Sequence, residues 1–380
     1  MTADAANDAA NPDAPWPTVA TPRRRVRLDF QHHADVDAVF DPVRQDLSAL
    51  AVLDRSMWLA CDETTTIEQL TRTGGARWSD HQTHNLHEAF DLHGDEGDEI
   101  DIEGLAIDDG WLWITGSHGL TRKKPKWHEN DPAVAMNRLT EVKSNVARRV
   151  IGRLPLVDAG NGTWMPSLTE TEDGRRPSSV RLRKGRTAFT KSLAKDIHLG
   201  RFMDIPCKEN GFDIEGIAAR GDRVLLGLRG PVLRGWAVIL ELRMKMTKSG
   251  HLKPRRIGPD GERYRKYFID LEGLGIRDLQ ADGDDLLILA GPTMDLDGPV
   301  ALIRWPGAWT TSALKQAVIP YQKLERVLDL PYGYGTDHAE GIALTERSDG
   351  GRELMVVYDS PAQGRLSDET AIRADLFAID

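Results

Sequence analysis

Three short stretches of this chain set a glutamate in the same surroundings. They are Asp101-Ile102-Glu103-Gly104-Leu105-Ala106, Asp213-Ile214-Glu215-Gly216-Ile217-Ala218 and His338-Ala339-Glu340-Gly341-Ile342-Ala343. Gly275-Ile276-Arg277-Asp278-Leu279-Gln280 is a degenerate fourth copy, and Asp46-Leu47-Ser48-Ala49-Leu50-Ala51 a worn fifth. If the fold brings equivalent positions together, Glu103, Glu215 and Glu340 share a small space. Arg277 and Ser48 then fill the remaining slots, and Asp278 stands one residue further along. Like charges raise one another's pKa and buried charge is costly, so something positive must join them. A hard cation is one solution. Ca²⁺ takes six to eight oxygens, which carboxylates, carbonyls and water supply. Glu103, Glu215, Glu340 and Asp278 are the candidate ligands. The other solution is internal: Arg277 and Arg229 neutralise the ring as bidentate partners, or each Glu accepts backbone hydrogen bonds while the Gly lets neighbouring strands approach.

A second recurring position follows each copy. It reads Cys61-Asp62-Glu63, Gly116-Ser117-His118, Leu228-Arg229-Gly230, Ala290-Gly291-Pro292 and Tyr358-Asp359-Ser360. Polar types dominate, although Gly, Asp, Ser and Pro also suit ordinary turns. A site built here has His118 as a general base, Arg229 as an anion clamp and Asp359 as an acid, the three candidate catalytic residues. His338, which replaces the leading Asp of the third copy, is a further candidate ligand or base.

These residues need elements to position them. Each copy opens an apolar run, then a turn, then a second apolar run. Glu103 to Ile107, the hairpin turn Asp108-Asp109-Gly110 and Trp111 to Thr115 form the clearest case. Outer strands of this second unit are expected at Met136 to Val142 and Arg149 to Val157. The first unit is expected to run Leu47 to Leu53, Met57 to Cys61, Thr66 to Thr71, and Leu86 to Leu92 as a strand or short helix. The fifth lacks an outer strand, which the N-terminal run Val26 to Phe30 can supply against Ala374 to Ile379. The aligned positions 48, 103, 215, 277 and 340 are 55, 112, 62 and 63 residues apart. Residues 158–200, rich in Gly, Ser, Thr, Arg and Lys, read as an insertion in the long gap. Repetition at this period with short strands in each unit indicates an all-β fold, a single β-propeller over residues 23–380. Five four-stranded blades is the count expected, with a sixth hidden in the long gap as the alternative. N- and C-terminal strands close the ring, which removes open edges. In such a ring the opening strands line the axis, so the Glu positions converge there.

Composition narrows the partners. A formal net charge of -10 argues against a nucleic-acid-coating protein. The basic loop Arg122 to Lys126, beside Trp127, reads as a solvated loop. No apolar run reaches the length of a membrane span. Residues 1–22 have little to bury and no signal-peptide pattern, so they read as a disordered tail and the expected location is the cytoplasm. Two cysteines, Cys61 and Cys207, are too few for a disulfide framework. The chain shows no Walker loop, dinucleotide fingerprint, nucleophile elbow or zinc-spaced Cys pair.

The repeated Asp-x-Glu-Gly-Ile/Leu-Ala unit at 101–106 and 213–218 resembles a bacterial family known only as domain of unknown function 3616, and the likeness covers most of the chain after residue 22. The resemblance implies a propeller and no established activity. The Glu-Gly at the head of an inner strand is also similar to that of the phytase-like esterase, gluconolactonase and paraoxonase propellers. That likeness implies that Glu103, Glu215 and Glu340 hold a metal. The reading is therefore a propeller whose acidic axial site binds a divalent cation, Ca²⁺, or a small-molecule ligand. If it is an enzyme, the class is metal-assisted hydrolysis of an ester, lactone or phosphoester. The alternatives are a non-catalytic scaffold with a structural carboxylate–arginine ring and protein-binding outer faces, and a glycosidase using two carboxylates.

Overall fold

The computed structural model describes residues 19–31, 42–62, 64–92, 99–347, 350–367 and 370–379. Most of the expected N-terminal tail (1–18) and Glu63 lie outside them. The chain is all-β. The five repeat units each lay down an antiparallel sheet, opening with Leu47–Leu53, Ile102–Asp108, Asp213–Arg220, Gly275–Asp282 and His338–Glu346. These opening strands lie side by side in a closed ring, in the order of the chain and back to the first. The remaining strands of each unit run outward from it, a β-propeller arrangement.

Closure uses both ends. Arg24–Asp29 pairs antiparallel with Ala371–Ile379, with Val26 opposite Ala374 and Leu28 opposite Ile372. It is the outermost strand of the fifth unit's sheet and also touches Arg77 and Trp78 of the first unit in parallel. Val26 and Leu28 alternate inward, as a strand with one buried face requires.

Two outer elements differ from expectation. The fourth strand of the first unit is Arg77–Asn85, and Leu86–Glu88 is only a 3-10 turn. Arg77–Asn85 is polar because it buries little besides Trp78, His81 and His84. Met136 to Val142 is not a strand; Pro132–Arg138 is a helix. The Asp131 carboxylate accepts from the N–H groups of Ala133 (2.9 Å) and Val134 (3.1 Å), and Pro132 stands where a missing N–H costs nothing. In the second unit, Ile151–Gly160 returns through Asn161-Gly162 into Thr163–Pro166, which completes that sheet. Beyond Pro166 lie the short strand Ser178–Ser179 and the helix Ala188–Leu193, whose Thr187 and Thr190 form a capping box.

Apolar clusters fill the spaces between neighbouring sheets. Ile217, Leu226, Val238 and Leu240 pack with Trp113, Ile151 and Phe189. Cys61 and Cys207 are buried and not joined in a disulfide. No helix is long and apolar enough to cross a membrane.

Candidate functional site

The opening strands share one irregularity. In each, the ladder to the next strand skips a residue: Ser48, Glu103, Glu215, Arg277 and Glu340 stand opposite no partner. A bulge of this kind re-aims a side chain. Here it re-aims five side chains at equivalent places in the ring, and they are the five positions aligned from the sequence.

The residue after each bulge meets the next unit. A Cβ on Gly104 would lie 3.1 Å from the Ile217 nitrogen; one on Gly216, 2.9 Å from that of Leu279; one on Gly341, 2.9 Å from that of Leu50. Glycine is therefore needed for backbone approach at three of the five seams. Polar ties hold the other two. Ser48 donates its hydroxyl to the Ile102 carbonyl at 2.5 Å. Asp278 accepts the Ile342 N–H at 2.8 Å and the Leu279 N–H at 2.7 Å. Asp278, expected among the metal ligands, thus has one carboxylate oxygen on each of two backbone donors. Burial pushes its pKa well up against the pull of those N–H groups.

Arginines hold one side of the ring. Arg229 reaches Asp213 at 2.5 Å and Glu215 at 2.7 Å. Arg277 reaches the other Glu215 oxygen at 3.1 Å and also pairs with Glu340. Glu215 thus carries two guanidinium partners, the arrangement expected of an internal charge network rather than of a metal ligand. Neither Asp213 oxygen has hydrogen-bond geometry, but the 2.5 Å ion pair is close enough for a strong attraction. Burial pushes Asp213 up to about 8, with Arg229 opposing and Glu215 adding to the rise. Burial opposes the Arg229 charge, yet Glu215 and Asp213 outweigh it and raise its pKa. Asp101 is paired with Arg148 at 2.7 Å.

On the other side of the ring Glu340 shares Arg277, but Glu103 and Asp62 have no such partner among the described residues. Carboxylate oxygens of Asp62, Glu103 and Glu340 lie within 4.8 Å of one another. Glu103 is 7 % exposed, and no hydrogen bond or ion pair engages its side chain among the described residues. Asp62 is partly exposed as a residue, but its Oδ1 is sealed from solvent without a hydrogen-bond partner. Both acids have pKa values pushed well up. Burial is the largest cause, followed for Asp62 by Asp101 and Asp359 and for Glu103 by Asp62 and Glu215. Asp62 was visible in the sequence only as a recurring polar position. Ser48 carries no carboxylate and its hydroxyl is engaged by the Ile102 carbonyl; Asp62, from the end of the next strand, reaches the cluster instead.

A cavity of about 300 Å³ adjoins the cluster through Glu340, and Arg229, Arg277, His338, Asp359 and Lys208 help to line it. The structure therefore brings candidates Arg229 and Asp359 to one cavity. His338 lies between Asp297 (3.1 Å) and Asp359 (3.7 Å). The Asp359 contact, then Asp297, raise its pKa, while His338 and Ser360 hold Asp359 low against its burial. His118 does not line this cavity. Its ring stands edge-on to Phe189 of the insertion, 5.8 Å between centroids, with Nδ1 2.9 Å from the Gly116 carbonyl. Burial holds it down to about 4, so it is neutral at neutral pH.

No curated protein matches the chain. Among solved structures, glutaminyl cyclase of Myxococcus xanthus is similar at 9% identity and a TM-score of 0.37, over 95% of this chain and 100% of that one. Virginiamycin B lyase from Staphylococcus aureus is similar at 11% identity and a TM-score of 0.34, over 94% and 99%. YCF48 bound to D1 peptide follows at 12% identity and a TM-score of 0.28, over 90% and 65%. A family model described as Protein of unknown function (DUF3616) matches residues 46–375, from the first opening strand into the last outer one, and the chain belongs to that family.

Proposed function

We propose that this protein binds a divalent cation of the Ca²⁺ type at Asp62, Glu103 and Glu340, and that the adjoining cavity receives a small anionic ligand beside it. The observation that carries the reading is the three-carboxylate cluster, in which Arg277 reaches Glu340 alone, Glu103 and Asp62 have no arginine partner among the described residues, and an Asp62 oxygen is buried without a hydrogen-bond partner. The donors are all hard oxygens, which suits Ca²⁺ and leaves further positions for carbonyls, water or ligand. A cation there supplies Lewis-acid polarisation of an ester, lactone or phosphoester oxygen. Arg229 and Arg277, themselves paired with Asp213, Glu215 and Glu340, line the opposite side with Lys208, where their guanidinium groups can meet an anionic ligand, and His338, held by Asp359 and Asp297, is the candidate to carry a proton. His338 takes over the proton-transfer role assigned from sequence to His118. We also read the ring as five blades, supported by the five bulged opening strands and by the absence of a sixth copy among the described residues.

Titration calorimetry with Ca²⁺ and Mn²⁺ on chelator-treated protein tests the proposal. One ion per chain is expected, with binding at least tenfold weaker in Glu103→Gln, which keeps the shape and removes a charge. Absence of binding, together with a melting temperature indifferent to chelator, removes the metal reading. The scaffold reading, in which protons rather than a cation neutralise Asp62 and Glu103, would then stand. It is favoured by the saturation of Glu215 with arginines.

A further inference from the structure

A cavity larger than the axial one is away from the axis, and its chemistry is opposite. It has a volume of about 970 Å³ and lies where the insertion meets the outer strand of the third unit. One wall is the helix Ala188–Leu193 with the turn after it; another is the stretch 256–268; a third is the stretch 313–317. The walls are tied together. The Ser192 hydroxyl accepts the Arg263 N–H at 3.2 Å, Tyr264 donates to Asp196 at 2.7 Å, and Lys266 reaches Asp196 at 2.6 Å. The Phe268 N–H donates to the Ala317 carbonyl at 2.8 Å.

In a chain of net charge -10, this cavity gathers Lys191, Lys195, Arg256, Arg263, Arg265 and Lys266. Of its three acids, Asp196 and Glu262 are engaged, and Asp260 is exposed. Asp196 takes Tyr264, Lys266 and the backbone N–H groups of His198 and Leu199. Glu262 accepts the Asp260 N–H at 2.9 Å within its own loop. Lys191, Lys195 and Arg256 are exposed and make no side-chain hydrogen bond or ion pair among the described residues. Arg263 is held below its usual pKa by burial and by the neighbouring Arg256, a like-charge contact that an anion would relieve. The same cavity has an apolar side. Ile197 is 79 % exposed and Leu314 61 % exposed, and the rings of His198 and Phe268 meet edge-on at 5.1 Å.

We infer that this cavity is a binding site for a small organic phosphate with a flat or apolar body, of the nucleotide class. Lys191, Lys195 and Arg256 take the phosphates; Ile197, His198, Phe268 and Leu314 take the body. A cluster of unpaired cations supplies charge-assisted hydrogen bonds to phosphate oxygens, and a volume of this size matches small-molecule sites. The site is independent of the axial cluster and shares none of its residues.

The test is calorimetry with ATP, inorganic triphosphate and adenosine, without added metal, on wild type and on Lys191→Glu/Arg256→Glu. Both positions are exposed, so an unchanged melting temperature is expected and serves as the folding control. Lys195→Ala is a second variant should the double reversal not fold. The expected order is ATP tightest, triphosphate weaker and adenosine weakest. ATP binding should fall at least tenfold in the double variant and about threefold in Lys195→Ala, and should weaken with added salt. The inference is overturned if ATP does not bind at millimolar concentration or if the variants bind it as wild type does. It is equally overturned if single-stranded RNA binds while no mononucleotide does.

Discussion

Arg277 stands in a slot that three sister units fill with Glu and Ser48 fills in the first, and it bridges Glu215 to Glu340. Arg277→Met leaves Glu215 with Arg229 and Glu340 without an arginine. Urea melts of the metal-free variant are expected to show a loss of about 3–5 kcal/mol, as for a broken buried pair. Ca²⁺ is expected to recover part of it by linkage. The unneutralised side behaves in the opposite sense. Asp62 and Glu103 titrate above the usual carboxylate range, so the folded chain holds protons there that the unfolded chain has released. The stability they contribute is complete below the unfolded carboxyl value, about 4, and is lost as pH rises through their elevated folded values. Metal-free Glu103→Gln should therefore melt higher than wild type at pH 8, with the gap closing towards pH 5. Taking the difference between the two proteins cancels the carboxylates remote from the cluster, and leaves the coupled titration of Glu103 with its neighbour Asp62. A gap that does not change with pH would mean that Glu103 is not the group titrating.

At the scale of elements, the seams between opening strands are of two kinds, and each can be broken separately. Gly216→Ala places a Cβ 2.9 Å from the Leu279 nitrogen and 3.0 Å from the Asp278 carbonyl carbon, both backbone atoms that cannot swing aside. Overpacking there is expected to cost about 1–3 kcal/mol in chemical denaturation. Asp278→Ala removes the acceptor of the Ile342 N–H, for about 1–3 kcal/mol. If Asp278 were a metal ligand instead, the loss would appear only with Ca²⁺ present. These seams were legible in the chain because a repeated Glu-Gly is a local pattern, and so was the pairing of Val26 with the last strand. Other elements were not. Arg77–Asn85 carries too few apolar residues to alternate visibly. The Asp131-Pro132 start of the helix Pro132–Arg138 was a local signal, outweighed by the run from Met136 to Val142, which read as a strand. Asp62 became a site residue only through which unit neighbours which, and His118 packs on a phenylalanine 71 residues further along. Neither relation is encoded in spacing.

At the scale of the whole molecule, the ring is a single closed cycle whose last seam needs both ends of the described chain. Deleting residues 1–31 removes the strand Arg24–Asp29 and exposes the edge of Ala371–Ile379. It is expected to give aggregation on size-exclusion chromatography, whereas a deletion that stops at residue 18 should elute and melt as wild type. The same pairing carries a consequence for how the protein is made. Arg25 and Asp375 meet across 350 residues of chain. A ribosome delivers the first of these strands long before the second, so the Arg24–Asp29 strand must wait for that partner while four units and most of the fifth are synthesised. The axial carboxylates come from the first, second and fifth units, so they too can assemble only when the final turn of the ring emerges. Capture of a cation there would then mark a chain in which the opening strand of the fifth unit has met that of the first.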